Sequence, residues 1–472
     1  MFSGRSQKTI SVKNAKLHNL KNVSLEIPLN KFVVVVGPSG GGKTSLIYDI
    51  LYKKSQGSTV DCDISVLPKM YALAQKITLP KNEKLSLGQY NLKTLKSLIK
   101  KISRGEVLIV DEPCAGFTAK ESTEIVGMLK TAIKKKGISV IAIEHSREVI
   151  CRADYVIEFG PGSGRNGGKV TFQGDLKKFK KSSGITAKYV FLNKVEKLNY
   201  RRNPNSKAIK SQRQFVEISK IKKHNLNNYN VKFPLSSLIC ISGKSGSGKT
   251  VLLKFIYGVL YKGKNAWQIR EKSNTYQSIS GKENVRRTYF IEQVPIGRNP
   301  RSNLVTYLNI WHNLRALFVD TKEAKKNNFT ISDFLINRLN KDVLSIKYKK
   351  KNIRQVLGLT VDEAIELFSK SAIITRKLKF LQEVGLGYVT LGQQTGTLSG
   401  GEAQRVRLAQ VLSKKLSDRC VYLLDVPTRG LHLSDIPIIL KVFQKIIDKN
   451  NTIMVADNKA EMINNSDYLI KL

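Results

Sequence analysis

Polar and apolar positions alternate along ISVKNAKL at 10–17, then give way to the continuous apolar run FVVVV at 32–36. Period-two alternation predicts a half-buried strand, and a short β-branched run without polar breaks predicts a fully buried one. A glycine-rich stretch follows, and KTSLIYDILYKK at 43–54 then carries helical spacing. EVLIVDEP at 106–113 and ISVIAIEH at 138–145 read as further buried parallel strands, each ending in acidic residues. Strands alternating with helices predict an α/β sheet. Residues 302–388 differ: NLVTYLNIWHNLRALF and VDEAIELF carry helical spacing, which predicts a mostly helical insertion at about 297–395.

The same pattern occurs twice. HNLKNVSLEIPL at 18–29 recurs as HNLNNYNVKFPL at 224–235, and GPSGGGKTSL at 37–46 recurs as GKSGSGKTVL at 243–252, both shifted by 206 positions. ADYVIEF at 153–159 is echoed by SDYLIKL at 466–472. A single duplication of this length predicts two homologous domains rather than a solenoid. The expected division is a first domain over 1–185, a basic linker over 186–212 containing RRNPNSKAIKSQR, and a second domain over 213–472.

Composition narrows the function classes. Of 472 residues, 81 are Lys or Arg and 36 are Asp or Glu, giving a net charge of +45. Such a field attracts phosphate backbones without regard to sequence, so nucleic acid is the expected partner, with an anionic membrane surface as the rival. No apolar run approaches the roughly 20 residues needed to cross a bilayer, and MFSGRSQKTI lacks the apolar core of a secretory signal. Cys62, Cys114, Cys151, Cys240 and Cys420 are scattered with no C-x-x-C pair, which argues against both a disulfide framework and a zinc site. A soluble cytoplasmic protein is expected.

The two glycine-rich stretches each match G-x-x-x-x-G-K-[ST]. They comprise Gly37, Pro38, Ser39, Gly40, Gly41, Gly42, Lys43 and Thr44, and then Gly243, Lys244, Ser245, Gly246, Ser247, Gly248, Lys249 and Thr250. Each follows an apolar strand and opens a helix, the context in which backbone N–H groups cradle phosphates. Lys43 and Lys249 are expected on the β/γ-phosphates, and Thr44 and Thr250 on Mg²⁺. Nucleotide hydrolysis also needs an acidic strand end and a group that orients water. Asp111 is the expected metal ligand, Glu112 the water-orienting base, and His145 the γ-phosphate neighbour at the end of the next strand.

LSGGEAQRVRLAQVL at 398–412 resembles the signature motif of ATP-binding cassette (ABC) proteins. More narrowly, the chain resembles the UvrA family, the damage-recognition ATPases of bacterial nucleotide excision repair. The carrying segments are AKLHNLKNVSLEIP, ADYVIEFGPGSGRNGGKVTFQGD, EQVPIGRNPRSNLVTY, VGLGYVTLGQQTGTLSGGEAQRVRLA and PTRGLHLSD. The resemblance implies two tandem P-loop ABC-type nucleotide-binding domains, ATP and Mg²⁺ as cofactors, duplex DNA as partner, a homodimer, and no nuclease activity. It also implies roles for Gln75 and Gln293 as metal- and water-contacting glutamines, for Asp425 as the second metal ligand, and for Ser399, Gly400 and Gly401 as γ-phosphate contacts.

Departures from the family are equally informative. Members are about twice this length, and the first signature-like run, LSLGQ at 85–89, follows Gln75 after only ten residues, so most of the first helical subdomain is missing. With it goes the module that receives the next repair protein. The family's four-cysteine zinc module is absent from 327–348, which weakens the expectation of damage recognition.

In this superfamily two cassettes meet head to tail, each ATP lying between one half's loop and the other half's signature. Applied here, a first site combines Lys43, Thr44, Gln75, Asp111, Glu112 and His145 with Ser399, Gly400 and Gly401, and every residue type is present. A second site combines Lys249, Thr250, Gln293 and Asp425 with 85–89, but Val426 replaces the glutamate and Asn458 the histidine. The expectation is one hydrolysing site and one that holds ATP. Arg298, Arg301, Lys322, Lys325 and Lys326 are candidate DNA phosphate contacts. The alternatives left open are a resistance or self-immunity paralogue that does not support incision, and an ATP-gated regulator of a protein or membrane partner. A transporter subunit or a ribosome-acting cassette fits the HNLKN and PIGRNPR runs less well.

Overall fold

The computed structural model describes residues 9–65, 67–73, 86–191, 214–262, 271, 273–292, 296, 302–336, 339–413 and 417–472. The chain forms two compact units, one of Met1–Phe290 with Asp418–Leu472 and one of Ile291–Ser417. The division does not follow the repeat, because the sheets of both halves fall in the first unit except for Ile291, the last residue of the edge strand Arg287–Ile291.

In that unit the first half builds a six-stranded sheet in the order Met70–Leu73, Val107–Asp111, Ser139–Ile143, Phe32–Val36, Tyr155–Gly160, Lys169–Asp175. All pairings are parallel except the last. The second half builds a five-stranded sheet in the order Arg287–Ile291, Cys420–Asp425, Thr452–Ala456, Leu238–Ser242, Tyr468–Lys471. The runs expected to be buried parallel strands are so: all five residues of Phe32–Val36 and of Ser139–Ile143 are buried.

Helices cover these sheets, as their apolar faces demand. Leu46, Ile47, Ile50 and Leu51, on the helix after the first glycine loop, share one cluster with Val33, Val35, Ile109 and Ile141. Leu252, Leu253 and Ile256 of Lys249–Leu260 pack with Ile239, Ile241, Leu423 and Met454. Each half adds a three-stranded antiparallel sheet, in which Thr9–Ala15 pairs with Val23–Pro28 and Phe215–Lys223 with Leu226–Pro234. The tight turns inside HNLKN and HNLNN explain why those motifs repeat: His18, Asn22, His224 and Asn228 all take left-handed backbone angles.

The expected linker begins too early. Residues 186–191 belong to the helix Ile185–Phe191, with Thr186, Ala187 and Val190 buried. Its basic neighbours mask a short apolar face, and the fully buried Glu158 fixes its start by accepting from Thr186 N at 2.6 Å. Residues 192–212 of that segment lie outside the described residues.

The second unit is helical among its described residues, with isolated bridges only. NLVTYLNIWHNLRALF does not run as one helix: Leu304–Tyr307 and Trp311–Val319 are separated where Asn309 turns left-handed. Val361–Leu367 starts at a capping box in which Thr360 and Glu363 satisfy each other's backbone N–H groups. Leu314, Phe318, Phe334, Phe368, Ile374 and Leu378 form part of its buried interior. No helix among the described residues is long and apolar enough to cross a membrane.

Candidate nucleotide-binding and catalytic sites

Both glycine loops sit between a buried strand and the helix it feeds. Gly37 passes so close to the neighbouring strand that a Cβ would lie 2.2 Å from the Phe159 carbonyl oxygen, which only glycine permits. Lys43 Nζ donates to the carbonyls of Gly37 and Pro38 at 2.7 and 2.8 Å, and Lys249 Nζ does the same to Gly243 and Lys244 at 2.7 and 2.8 Å. The loops are also propped from outside. Asn19 Nδ2 donates to Gly40 O at 2.7 Å, and its repeat counterpart Asn225 Nδ2 donates to Gly246 O at 2.8 Å. The first loop has further supports in Gly164 N to Gly40 O and Gly168 N to Gly41 O, both at 3.0 Å.

The acidic strand ends lie beside these loops. Thr250 Oγ1 donates to Asp425 at 3.0–3.1 Å, bringing together the hydroxyl and carboxylate expected to hold a metal. Oxygen donors of this hardness suit Mg²⁺. Desolvation, reinforced by the neighbouring Glu112 and opposed by Lys43, raises Asp111 to about 7. Burial also raises Asp425 above the usual carboxylate range. Glu112 and Val426 occupy the same left-handed conformation, each at φ 45°. Isolated valines rarely adopt it, so the second half keeps the backbone turn while lacking the carboxylate.

A second acid follows on the next strand of each half. Glu144 accepts from the N–H groups of Cys114, His145 and Ser146 at 3.1, 2.8 and 3.0 Å. Burial first, and then Glu112, raises it to about 7. Asp457 receives Thr428 Oγ1 at 2.6 Å and the N–H groups of Asn458 and Lys459. His145 is 5% exposed and its Nδ1 has no partner among the described residues. Desolvation, then the Lys43 charge, lowers its basicity well below normal. Asn458, its counterpart, is instead tied to the second loop, accepting from Gly243 N and donating to Gly243 O.

Within the first unit, the loop of each half faces the acidic turn of the other. Ser39 Oγ donates to Gly430 O at 3.0 Å and Asp435 Oδ2 at 3.2 Å, while Gly430 N donates to Glu112 Oε2 at 3.1 Å. On the other side, Ser245 N donates to Glu121 Oε1 at 3.0 Å and Asn458 Nδ2 to Gly116 O at 3.0 Å. Ser86 Oγ, heading the helix Leu87–Lys101, lies 3.2 Å from Ser245 Oγ. A Cβ on Gly88 would fall 2.7 Å from the same oxygen, so the altered signature run approaches the second loop closely. Gln89 keeps the capping box with Ser86, the part that Glu402 plays for Ser399 in the helical unit.

The geometry thus gathers Lys249, Thr250, Asp425, Ser86 and Gly88 on one side, and Lys43, Asp111, Glu112 and His145 on the other. Gln75, Gln293, Leu85, Arg298 and Arg301 lie outside the described residues. Ser399 precedes the helix Gly400–Ser413, whose first residues are Gly400 and Gly401. Sequence reasoning did not single out Asn19, Asn225, Glu121, Asp435, Glu144, His432 or Arg429. The two asparagines had a signal, since they recur in register with the loops. Arg429 had none, because Ala115 holds its place in the first half.

A family model described as ABC transporter matches residues 226–429. UvrABC system protein A of Aquifex aeolicus is 38% identical over 407 residues, covering 78% of this chain and 43% of the relative. The Clostridium acetobutylicum protein of the same name is 36% identical, covering 78% and 42%. The chain therefore spans less than half the length of the curated relatives it matches. Among solved structures, UvrA2 from Deinococcus radiodurans superposes with a TM-score of 0.84 at 20% identity, covering 99% of this chain and 95% of that one. The fold likeness over nearly the whole chain and the sequence likeness over most of it converge, and the chain belongs with the UvrA-like ATP-binding cassette proteins.

Proposed function

We propose that the chain binds Mg-ATP at two composite sites, hydrolyses it at the first and holds it at the second, and uses this cycle to control contact with DNA. The observation that carries the reading is the asymmetry at matched positions. Glu112 and Val426 share one backbone conformation, and His145 and Asn458 follow equivalent strands, yet only the first half retains groups able to orient water or move a proton. Lys43 and Lys249 serve the β/γ-phosphates, and Thr44 with Asp111 and Thr250 with Asp425 hold the metal. Mg²⁺, when bound, neutralises charge on the phosphate oxygens. Glu112 accepts the proton of the attacking water. Gln75, Gln293, Ser399, Gly400 and Gly401 are assigned to nucleotide contact by their motifs.

DNA as the partner rests on the relatives named UvrABC system protein A and on the net charge of +45. Lys322 and Lys326 are exposed on a helix suited to phosphate contacts, whereas Lys325 is already paired with Asp320 at 2.5 Å. Homodimerisation and a cytoplasmic location belong to the same reading. The test is ATPase rate with damaged duplex, undamaged duplex and single-stranded DNA at two salt concentrations. Salt-sensitive stimulation by damaged duplex supports a repair role. Salt-sensitive stimulation by every form supports a nonspecific clamp, and no response to any DNA overturns DNA as the partner and leaves the resistance or regulator reading.

A further inference from the structure

We propose that Arg429 is a positioning residue through which the second site acts on Glu112 of the first. This rests on the two-site reading above and adds a direction of coupling to it. Arg429 is 8% exposed and lies in the turn that follows Asp425 and Val426 in the second half. The turn is pinned at both ends: Arg429 N donates to Val426 O at 3.1 Å, and the adjoining Gly430 N donates to Glu112 Oε2 at 3.1 Å. Gly430 O also receives Ser39 Oγ of the first glycine loop at 3.0 Å. Arg429 is thus held one residue from the carboxylate that orients water in the other half.

A guanidinium keeps its charge at every physiological pH and must meet anions when buried. The charges that act on Arg429 come from both halves: Glu112 first, then Asp425 and Asp111, which together oppose the effect of its burial. Asp425 is itself bonded to Thr250 of the second glycine loop. The Arg429 charge therefore lies in the fields of both the Thr250-bonded carboxylate of the second site and the water-orienting group of the first, whose Oε2 is held by the adjoining Gly430 N. The link runs one way. The counterpart of Arg429 is Ala115, and the counterpart of Glu112 is Val426, so neither the cation nor its target exists in the reverse direction. Removing the Asp425 charge would leave Glu112 and Asp111 as the anions acting on the guanidinium.

The test is a double-substitution cycle on the full chain with Arg429→Ala and Asp425→Asn, read both as turnover and as melting temperature without nucleotide. Arg429→Ala should lower kcat by about tenfold with KM changed less than about twofold, and Arg429→Lys should recover part of the loss, as expected for an interaction made at the reacting group. Asp425→Asn should change turnover at least about fivefold in the parent and less than about twofold in the Arg429→Ala background. The melting temperatures should be non-additive in the same sense. Arg429→Met, which keeps the volume, replaces Arg429→Ala if the latter does not fold. Additive effects in both readouts, or parental kcat in Arg429→Ala or Arg429→Met, overturn the proposal. Retained turnover in Glu112→Gln would overturn the two-site reading instead, so the two failures are distinguishable.

Discussion

Asn458 is bonded to both polar groups of Gly243, accepting from its N at 3.0 Å and donating to its O at 2.9 Å. The same Nδ2 reaches Gly116 O of the other half at 3.0 Å. An asparagine can make these bonds together because its amide carries both an acceptor and donors. Among the described residues, His145 at the matching position of the first half makes no such lock on its loop. The replacement therefore exchanges a group suited to proton and phosphate chemistry for one that fixes the loop.

Asn458→Ala should release this lock. Each bond contributes about 0.5–1.5 kcal/mol, so nucleotide affinity at the second site should fall by about tenfold. Turnover per occupied first site should remain within about twofold. Equilibrium binding of a fluorescent ATP analogue together with steady-state ATPase rates checks both parts.

Val426 occupies a left-handed conformation that is costly for a β-branched side chain. Val426→Asn should raise the stability of the protein by about 1 kcal/mol, read by denaturant unfolding. Val426→Glu should leave turnover within about twofold, because Asn458 still occupies the other catalytic position. A large gain from Val426→Glu alone would show that one carboxylate suffices to activate the second site.

Asn19 and Asn225 support the two glycine loops through matching bonds to Gly40 and Gly246. Asn19→Ala should raise KM for ATP by about threefold to tenfold, within the range of a lost structural hydrogen bond. Asn225→Ala should act on second-site affinity instead. Asn225→Ala should also loosen the second loop, as amide hydrogen exchange over 243–250 would report.

His432 joins the halves through Thr186 Oγ1, at 2.9 Å from its Nε2, and packs edge-on to His145 with ring centroids 5.8 Å apart. Burial, then the Lys43 and Lys459 charges, lowers its pKa to about 3, against about 6.5 when unfolded. The unfolded chain therefore binds the extra proton between those values. The contribution is fully present above about pH 6.5 and is lost as pH falls toward about 3. Asp111 and Glu144, both raised to about 7, act in the opposite sense. Comparison with His432→Asn isolates the histidine: the substitution should flatten the fall in melting temperature between pH 7 and pH 5.

Much of this was legible from residue pattern because the relevant physics is local. Buried parallel strands show as β-branched runs, and glycine loops show because close backbone approach excludes side chains, as at Gly37. The duplication made the loss of Glu and His visible by direct comparison of 112 with 426 and 145 with 458. What pattern could not show was contact between halves. Glu121 on Ser245 and Gly430 on Glu112 join residues 124 and 318 positions apart, and no periodicity encodes such pairings. The helix Ile185–Phe191 escapes pattern for a related reason: its apolar face is short, and Thr186 is also held by the distant Glu158 and His432.

The central claim is that one chain carries two unequal nucleotide sites. It is tested most directly by mixing the protein with radiolabelled Mg-ATP, quenching with acid over time, and counting bound ATP and ADP per chain in the parent, Lys43→Ala and Lys249→Ala. The account predicts two nucleotides bound in the parent with only one converted per cycle, no conversion in Lys43→Ala, and continued conversion with a single bound nucleotide in Lys249→Ala. Conversion of both nucleotides at one rate, or parental turnover in Lys43→Ala, would contradict it.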